Sequence, residues 1–304
     1  MESPAGQGHS STRRCISLAL AALAIVAAAC SPKTDSVAAT PVATPSAIPV
    51  ATPAGTGPTA AATLTSASGS GPALRPGLRA LTGFDKCRQF FPGDLPRVPE
   101  ARLTLSRDLC YDAFAVLHSG QSKTPVFVVE RLTRATLDDA ADEVRGNRFF
   151  ADARLPSRER ANLEDYKGSG LDRGHMAPAA DMPTAQANDQ SFSLANMVPQ
   201  ARINNQRTWA GIEKATRHYI RRAQGPVFVF TGPVYAGAPA RTIGPGQVWV
   251  PTHLYKLVYD AGTGKSWAHW VENTDEARAG KPITYRELVE RTGIEFLPGI
   301  SAAQ

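Results

Sequence analysis

From Ser31 to about Gly77 the chain is built of Ala, Thr, Pro, Ser and Gly, with almost no charge and few large apolar side chains. Such a stretch buries too little surface to offset the entropy of ordering it. It reads as a flexible, partly extended tether. Folding is therefore confined to the residues C-terminal to it. From Phe84 the composition becomes ordinary, and the roughly 215 residues from there on suffice for one sizeable core. Ahead of the tether, Arg13 and Arg14 precede an apolar run, Ile16 to Ala29, that ends in small residues before Cys30. The run is too short to span a bilayer. A basic start, an apolar centre and a small-residue end read as a secretory signal. Ala27-Ala28-Ala29-Cys30 also looks like a lipoprotein cleavage site, with Ala27 where leucine is usual. The expected organisation is a lipoprotein-type signal over 1–29, a disordered tether over 30–79 and one domain over 80–304. The protein is expected to be exported, either held in the periplasm or at the outer membrane through a lipid on Cys30, or secreted after ordinary signal cleavage.

Within the folded part, strand-like runs are Cys110–Leu117, Val126–Glu130, Val227–Thr231, Val248–Pro251, Leu254–Tyr259 and Ser266–Val271. Each is rich in β-branched or aromatic residues and bounded by Gly, Pro, Asp or Asn. The first two, joined by Ser119-Gly120-Gln121-Ser122-Lys123, read as a hairpin. Helical patterns cover Leu137–Val144, Asn205–Ala223 and Thr284–Thr292. The second of these places Trp209, Ile212, Ala215, Tyr219 and Ile220 near a helical period. Strands with interspersed helices predict an α+β domain around an antiparallel sheet. There is no internal repeat.

Apart from Cys15 in the signal and Cys30 at its cleavage site, the cysteines are Cys87 and Cys110. In an exported protein two thiols usually pair; two buried free thiols are the alternative. A zinc site needs four ligands, and no CxxC or closely spaced histidine pair accompanies these cysteines. The expectation is a Cys87–Cys110 bridge between the entry segment and the first strand.

Two segments carry chemistry. Leu171-Asp172-Arg173-Gly174-His175-Met176-Ala177-Pro178 sets a histidine beside a carboxylate, a guanidinium and a glycine. About thirty residues later comes Asn204-Asn205-Gln206-Arg207-Thr208-Trp209-Ala210-Gly211-Ile212-Glu213. The first can supply a proton acceptor, the second hard oxygen ligands for a divalent cation. Together they make a kit for metal-assisted phosphodiester hydrolysis. A histidine near an aspartate is, alone, more often a structural pair.

The same residues carry a resemblance. Tyr166-Lys167-Gly168-Ser169-Gly170-Leu171-Asp172-Arg173-Gly174-His175, Asn196-Met197-Val198-Pro199-Gln200, Asn205-Gln206 with Trp209 and Glu213, Thr231-Gly232-Pro233 and Val250-Pro251-Thr252-His253 resemble the DNA/RNA non-specific endonuclease family. The likeness runs from about Phe84 to about Pro298. It implies a central antiparallel β-sheet with flanking helices and a ββα-metal active-site element. It also implies Mg²⁺, for which Mn²⁺ can substitute, and DNA and RNA as substrates.

His175 is then the general base, since imidazole titrates near neutral pH and can be unprotonated yet basic. His118, His218, His253 and His269 lack such a setting. Asn205 is the direct metal ligand, its neutral carbonyl oxygen suiting an ion that keeps several waters. The other reading of Asn205 is a helix N-cap, unless Asn204 caps. Glu213 stands eight residues on, about 12 Å along a helix and about 80° around it. It leans back toward the N-terminus and reaches metal-bound waters; its bland alternative is a surface pair with Arg217 at i+4. Asp172 is an orienter or, alternatively, a metal ligand. Arg173 contacts substrate phosphate or braces the loop, and Gly174 permits a tight backbone path. Asn196 positions the site through hydrogen bonds, or else is a turn residue. The resemblance calls for an upstream arginine that stabilises transition-state charge. The candidates are Arg145, Arg148 and Arg154, of which Arg148 fits best. Arg202 and Arg207 flank the start of the metal helix and could meet backbone phosphates.

The formal net charge is +6; removing residues 1–29, which hold Arg13, Arg14 and Glu2, leaves +5. That suits a polyanionic partner without requiring one. No recognition helix, zinc finger or aromatic RNA-binding motif is present, so little sequence specificity is expected. The expected activity is that of an exported, Mg²⁺-dependent, non-specific endonuclease. The alternatives are an inactive nucleic-acid-binding protein on the same fold or a phosphodiesterase acting on smaller substrates.

Overall fold

The computed structural model describes residues 77–237 and 241–301. The signal, and the tether as far as residue 76, lie outside the described residues. In chain order the strands and helices are β1 (Leu78–Ala80), β2 (Arg97–Pro99), β3 (Ser106–Cys110), β4 (Phe114–Ser119), β5 (Thr124–Leu132), α1 (Arg134–Asp139), α2 (Leu163–Tyr166), β6 (Asp172–His175), α3 (Ala185–Ser191), β7 (Met197–Gln200), α4 (Ala210–Ile220), β8 (Val227–Val234), β9 (Thr242–Ile243), β10 (Val248–Trp249), β11 (His253–Asp260), β12 (Ser266–Glu272) and α5 (Tyr285–Thr292). Six of the strands form one sheet, in the order β12-β11-β8-β5-β4-β3. Every pairing in it is antiparallel. This is the expected α+β architecture.

Side chains alternate across the sheet, and each face builds its own core. One face gathers Phe127, Phe230, Tyr255 and Leu257 against Phe84, Phe91, Leu288 and Phe296. The entry segment, α5 and the C-terminal segment therefore cover it. The other gathers Val116, Val128 and Leu254 against Met176, Val198, Trp209 and Ile212. Those partners come from the segments bearing the two chemical motifs, so the motifs dock on this face. Cys87 and Cys110 are bridged, with Cα atoms 5.7 Å apart, which ties the entry segment to β3.

The β4–β5 hairpin forms at the Ser119–Lys123 turn as expected; Lys123 takes the left-handed conformation there, φ 59°. Cys110 falls in β3 rather than at the start of β4, because the chain turns over at Tyr111–Ala113. The first helix is centred earlier than the apolar pattern indicated. Thr133 caps it, accepting from the Thr136 amide, and it ends at Asp139.

Candidate active site

β6 and β7 form a separate two-stranded antiparallel ribbon, pairing Asp172 with Gln200, Gly174 with Val198 and His175 with Met197. Entry into β6 passes through Gly168 (φ 68°) and Gly170 (φ 77°), left-handed positions that favour glycine because a Cβ there crowds its own backbone. Gly174 is needed for a different reason: a Cβ on it would collide with the Gln200 side chain. Asn196, fully buried, staples the return strand to the histidine loop. Its Nδ2 donates to Ala177 O at 2.9 Å and Ser191 O at 2.8 Å, and its Oδ1 accepts from Ala177 N at 2.9 Å.

After β7 the chain enters a helix. Residues Asn204–Trp209 form a wide, π-type turn that continues into α4, an irregularity frequent at functional sites. Neither asparagine caps it. Asn205 N donates to Ala201 O at 2.9 Å as an interior residue. Asn204 is fully buried, accepting from Gln200 Nε2 and donating to Glu272 O, both at 2.7 Å. β6 and the start of this helix thus meet on one cleft of about 670 Å³.

Asp172, Arg173, Asn205 and Gln206 line one side of that cleft; Arg145, Phe149 and Tyr166 line another. Asp172 Oδ2 accepts from Asn205 Nδ2 and from Gln206 Nε2, each at 2.9 Å. Asp172 thus fixes both amide side chains. By engaging the amide nitrogen it leaves the Asn205 carbonyl oxygen available as a ligand. His175 is 8% exposed, and its Nε2 has no protein partner. Phe149 and Phe192 flank it at 5.8 and 4.9 Å between ring centroids. The guanidinium of Arg173 lies over Phe149 at 4.1 Å, and that of Arg145 over Phe192 at 5.5 Å. Burial, with Arg145 and Arg173 adding to it, pushes the His175 imidazolium down to about 3. The ring is neutral at working pH.

Glu213 is half-buried on α4. Burial raises its carboxyl to about 7, opposed first by Lys256. Arg217 does not pair with it on the surface; it bridges to Asp181 at 2.9 Å, largely buried. Of the upstream arginines, Arg145 lines the cleft. Arg148 is exposed and is not on the cleft wall; between it and Arg145 the Gly146 amide donates to Asn188 Oδ1 at 2.8 Å. Arg154 is bound to Asp152 at 2.7 Å and to Cys110 O at 2.8 Å. Arg207 sits away from this cleft, in a second one with Ile203 and Arg278, because the helix turns it outward. The buried Lys256, whose Nζ donates to Thr231 Oγ1 at 2.8 Å, escaped the sequence reading altogether: a single lysine in an apolar strand pattern gives no signal of its own.

No cluster of three or more His, Cys, Asp or Glu side chains able to hold a metal occurs among the described residues. The oxygen donors on the cleft wall are the neutral Asn205 carbonyl and the carboxylates of Asp172 and Glu164; Glu213 stands farther along the helix, off that wall. That set suits Mg²⁺, which binds few protein groups and retains its water.

An antiparallel sheet carrying a strand–strand–helix element over such a cleft is the architecture of a ββα-metal nuclease. The chain belongs to the DNA/RNA non-specific endonuclease family, whose sequence pattern it matches over residues 99–303. Human mitochondrial endonuclease G is 33% identical over 228 residues, 68% of this chain and 73% of that protein. Nuclease C1 of Cunninghamella echinulata var. echinulata is 36% identical over 159 residues, 48% of this chain. The match spans 62% of that relative, under two thirds of its length. Among solved structures, a chain of the EndoG/EndoGI complex matches 73% of this chain and 95% of its own, with a TM-score of 0.61 at 22% identity, a likeness of fold.

Proposed function

We propose that this protein is an exported, Mg²⁺-dependent endonuclease that hydrolyses phosphodiester bonds of DNA and RNA without sequence preference. The observation that carries the reading is the Asp172–Asn205 contact. It holds a carbonyl ligand on the wall of a cleft that also presents Arg145 and Arg173, with a neutral His175 behind them. His175 would accept the proton of the attacking water at its Nε2, which is buried without a protein partner behind the cleft wall. Arg145 and Arg173 bind the scissile phosphate, and its negative charge offsets theirs, so His175 grows more basic when substrate is in place. Arg145, rather than Arg148, takes the part of the arginine that meets developing charge. Asn205 would hold the cation and Glu213 would order its waters. When bound, the ion supplies charge neutralisation at the phosphate and at the leaving 3′-oxygen. Contacts to phosphate alone carry no sequence information.

The test is degradation of plasmid DNA and of a structured RNA, with and without EDTA. Both substrates should be cut, cutting should stop in EDTA, and excess Mg²⁺ or Mn²⁺ should restore it. Undiminished cutting in EDTA overturns the mechanism. Hydrolysis of bis-nitrophenyl phosphate with the plasmid left intact indicates a small-molecule phosphodiesterase instead. Export and lipidation at Cys30 are supported by Arg13, Arg14, the Ile16–Ala29 run and the Ala27–Cys30 site. Wild-type protein should carry an acyl label in the membrane fraction and Cys30→Ser should not; unlabelled wild type refutes the anchor.

A further inference from the structure

The turn that carries Asn205 borders two clefts. Asn205 and Gln206 line the one already described; Ile203, Arg207 and Thr208 line the second, of about 440 Å³, together with Arg278 and Ala279. Arg278 lies in the segment that follows β12, and hydrogen bonds pin that segment to the start of the metal helix. Asn273 Oδ1 accepts from Ala201 N at 2.8 Å, Asp275 Oδ1 accepts from Ile203 N at 2.7 Å, and Thr208 Oγ1 donates to Ala277 O at 3.0 Å. The guanidinium of Arg278 is then set by its own chain, Nη1 donating to Glu276 O at 2.7 Å and to Ala277 O at 3.0 Å. Among the described residues its Nε and Nη2 meet no acceptor, and neither does the guanidinium of Arg207. Both arginines are exposed. No carboxylate lines this cleft; Asp275 is taken up by the Ile203 amide. A cleft lined by charge of one sign draws in the opposite sign, and a guanidinium with free donors matches the geometry of a phosphate.

We propose that Arg207 and Arg278 form an accessory phosphate site, which holds the nucleic-acid strand beside the scissile bond and makes the protein favour polymers over small diesters. The inference rests on the proposed nuclease reading. Asn205 and Arg207 are two residues apart, about 3 Å along the helix, yet they serve different clefts, with the turn 203–208 between them. A small diester fills one cleft only. A strand whose scissile phosphate sits at Asn205 can lay a further phosphate across the turn into the second. The pinned segment after β12 explains why that second site is fixed relative to the first.

The experiment compares wild type, Arg207→Gln, Arg278→Gln and the double variant as full chains. Binding of a fluorescein-labelled DNA duplex, two helical turns long, is read by anisotropy in EDTA from about 50 to about 200 mM salt. Values of kcat and KM on plasmid are measured in Mg²⁺, and Tm by calorimetry. Each single variant should weaken duplex binding by about 3–10-fold and lower the slope of log Kd against log salt by about 1. KM should rise far more than kcat changes. Arg286→Gln removes the same charge from α5, on the other face of the sheet, and should leave the slope as in wild type. Wild-type slope and KM in both single variants overturn the proposal. So does an equal loss in Arg286→Gln, which would trace the effect to net charge alone. If Arg278→Gln lowers Tm, Arg207→Gln, which breaks no hydrogen bond, decides by the same criteria. Wild type that neither binds the duplex nor cuts plasmid removes the nuclease reading itself, a distinct failure.

Discussion

Between Phe149 and Phe192, with Arg145 and Arg173 beyond them, His175 stays neutral well below neutral pH. A neutral imidazole with a free Nε2 accepts a proton. His175→Ala should therefore lower kcat by about 10²–10⁴-fold while Mn²⁺ affinity, which the proposed function assigns to Asn205 and Glu213, stays near wild type. Loss of metal binding in that variant would mean that ligand and base have been interchanged. Burial acts on histidines outside the site as well. His118 is fully buried, bonded through Nε2 to Glu159 O at 2.8 Å, and is pushed down to about 4, chiefly by desolvation. Its folded value lies below the unfolded one, near 6.5. As pH falls, the unfolded chain takes up a proton that the folded chain refuses. Stability from this residue is complete above about pH 6.5 and is lost progressively down to about pH 4. The fall in Tm between pH 6.5 and 4.5 should be smaller in His118→Gln than in wild type; equal slopes would refute the assignment. His175 and Asn205 stood out in the sequence because their chemistry is written in local motifs. That Arg145, and not Arg148, lines the cleft did not stand out, because the two lie three residues apart in a segment without regular structure.

The β6–β7 ribbon is the element that sequence patterning missed even though the motifs inside it were read. Each strand is four residues long, too short for an alternating pattern, and β6 carries Asp, Arg, Gly and His rather than β-branched residues. Its register is set by contacts that only the fold reveals: the Asn196 staple, and the packing of Gln200 on Gly174. The long strands β5, β8, β11 and β12 were legible, since each is an extended apolar run in a sheet with both faces covered. The metal helix was legible in its body but not at its start, where buried polar partners of Asn204 replace an ordinary cap. The glycine gives this element its test. Gly174→Ala would push Gln200 away and disturb its 2.7 Å bond to Asn204, next to Asn205, the proposed ligand. A forced overpacking of this kind costs about 1–3 kcal/mol. Tm should fall, and the Mg²⁺ concentration for half-maximal rate should rise. A variant with wild-type Tm and metal dependence would show that the Gly174–Gln200 contact is slack.

At the scale of the whole molecule, the sheet keeps two tasks apart. One face carries the motifs and the cleft; the other is sealed by the entry segment, whose hold on the sheet includes the Cys87–Cys110 bridge. The exported setting inferred from residues 13–30 is the one in which such a bridge persists. Cys87 is 1% exposed, packed with the aromatic core of Phe84, Phe91 and Phe127, so the bridge reinforces the face remote from His175. It closes a loop with a sequence separation of 23. In the chain-entropy account, closing a loop of that size stabilises by about 3 kcal/mol, which for a domain of this length corresponds to about 6–12 °C in Tm. Reduction should therefore lower Tm by that amount. Nuclease activity measured well below the new Tm should survive dithiothreitol, because none of the groups proposed to bind the cation, the phosphate or the attacking water belongs to the bridged segment. Loss of activity at a temperature where the reduced protein remains folded would show that the entry segment acts through the sheet on the site. Two alkylatable thiols in the native, unreduced protein would show that the bridge is absent in solution.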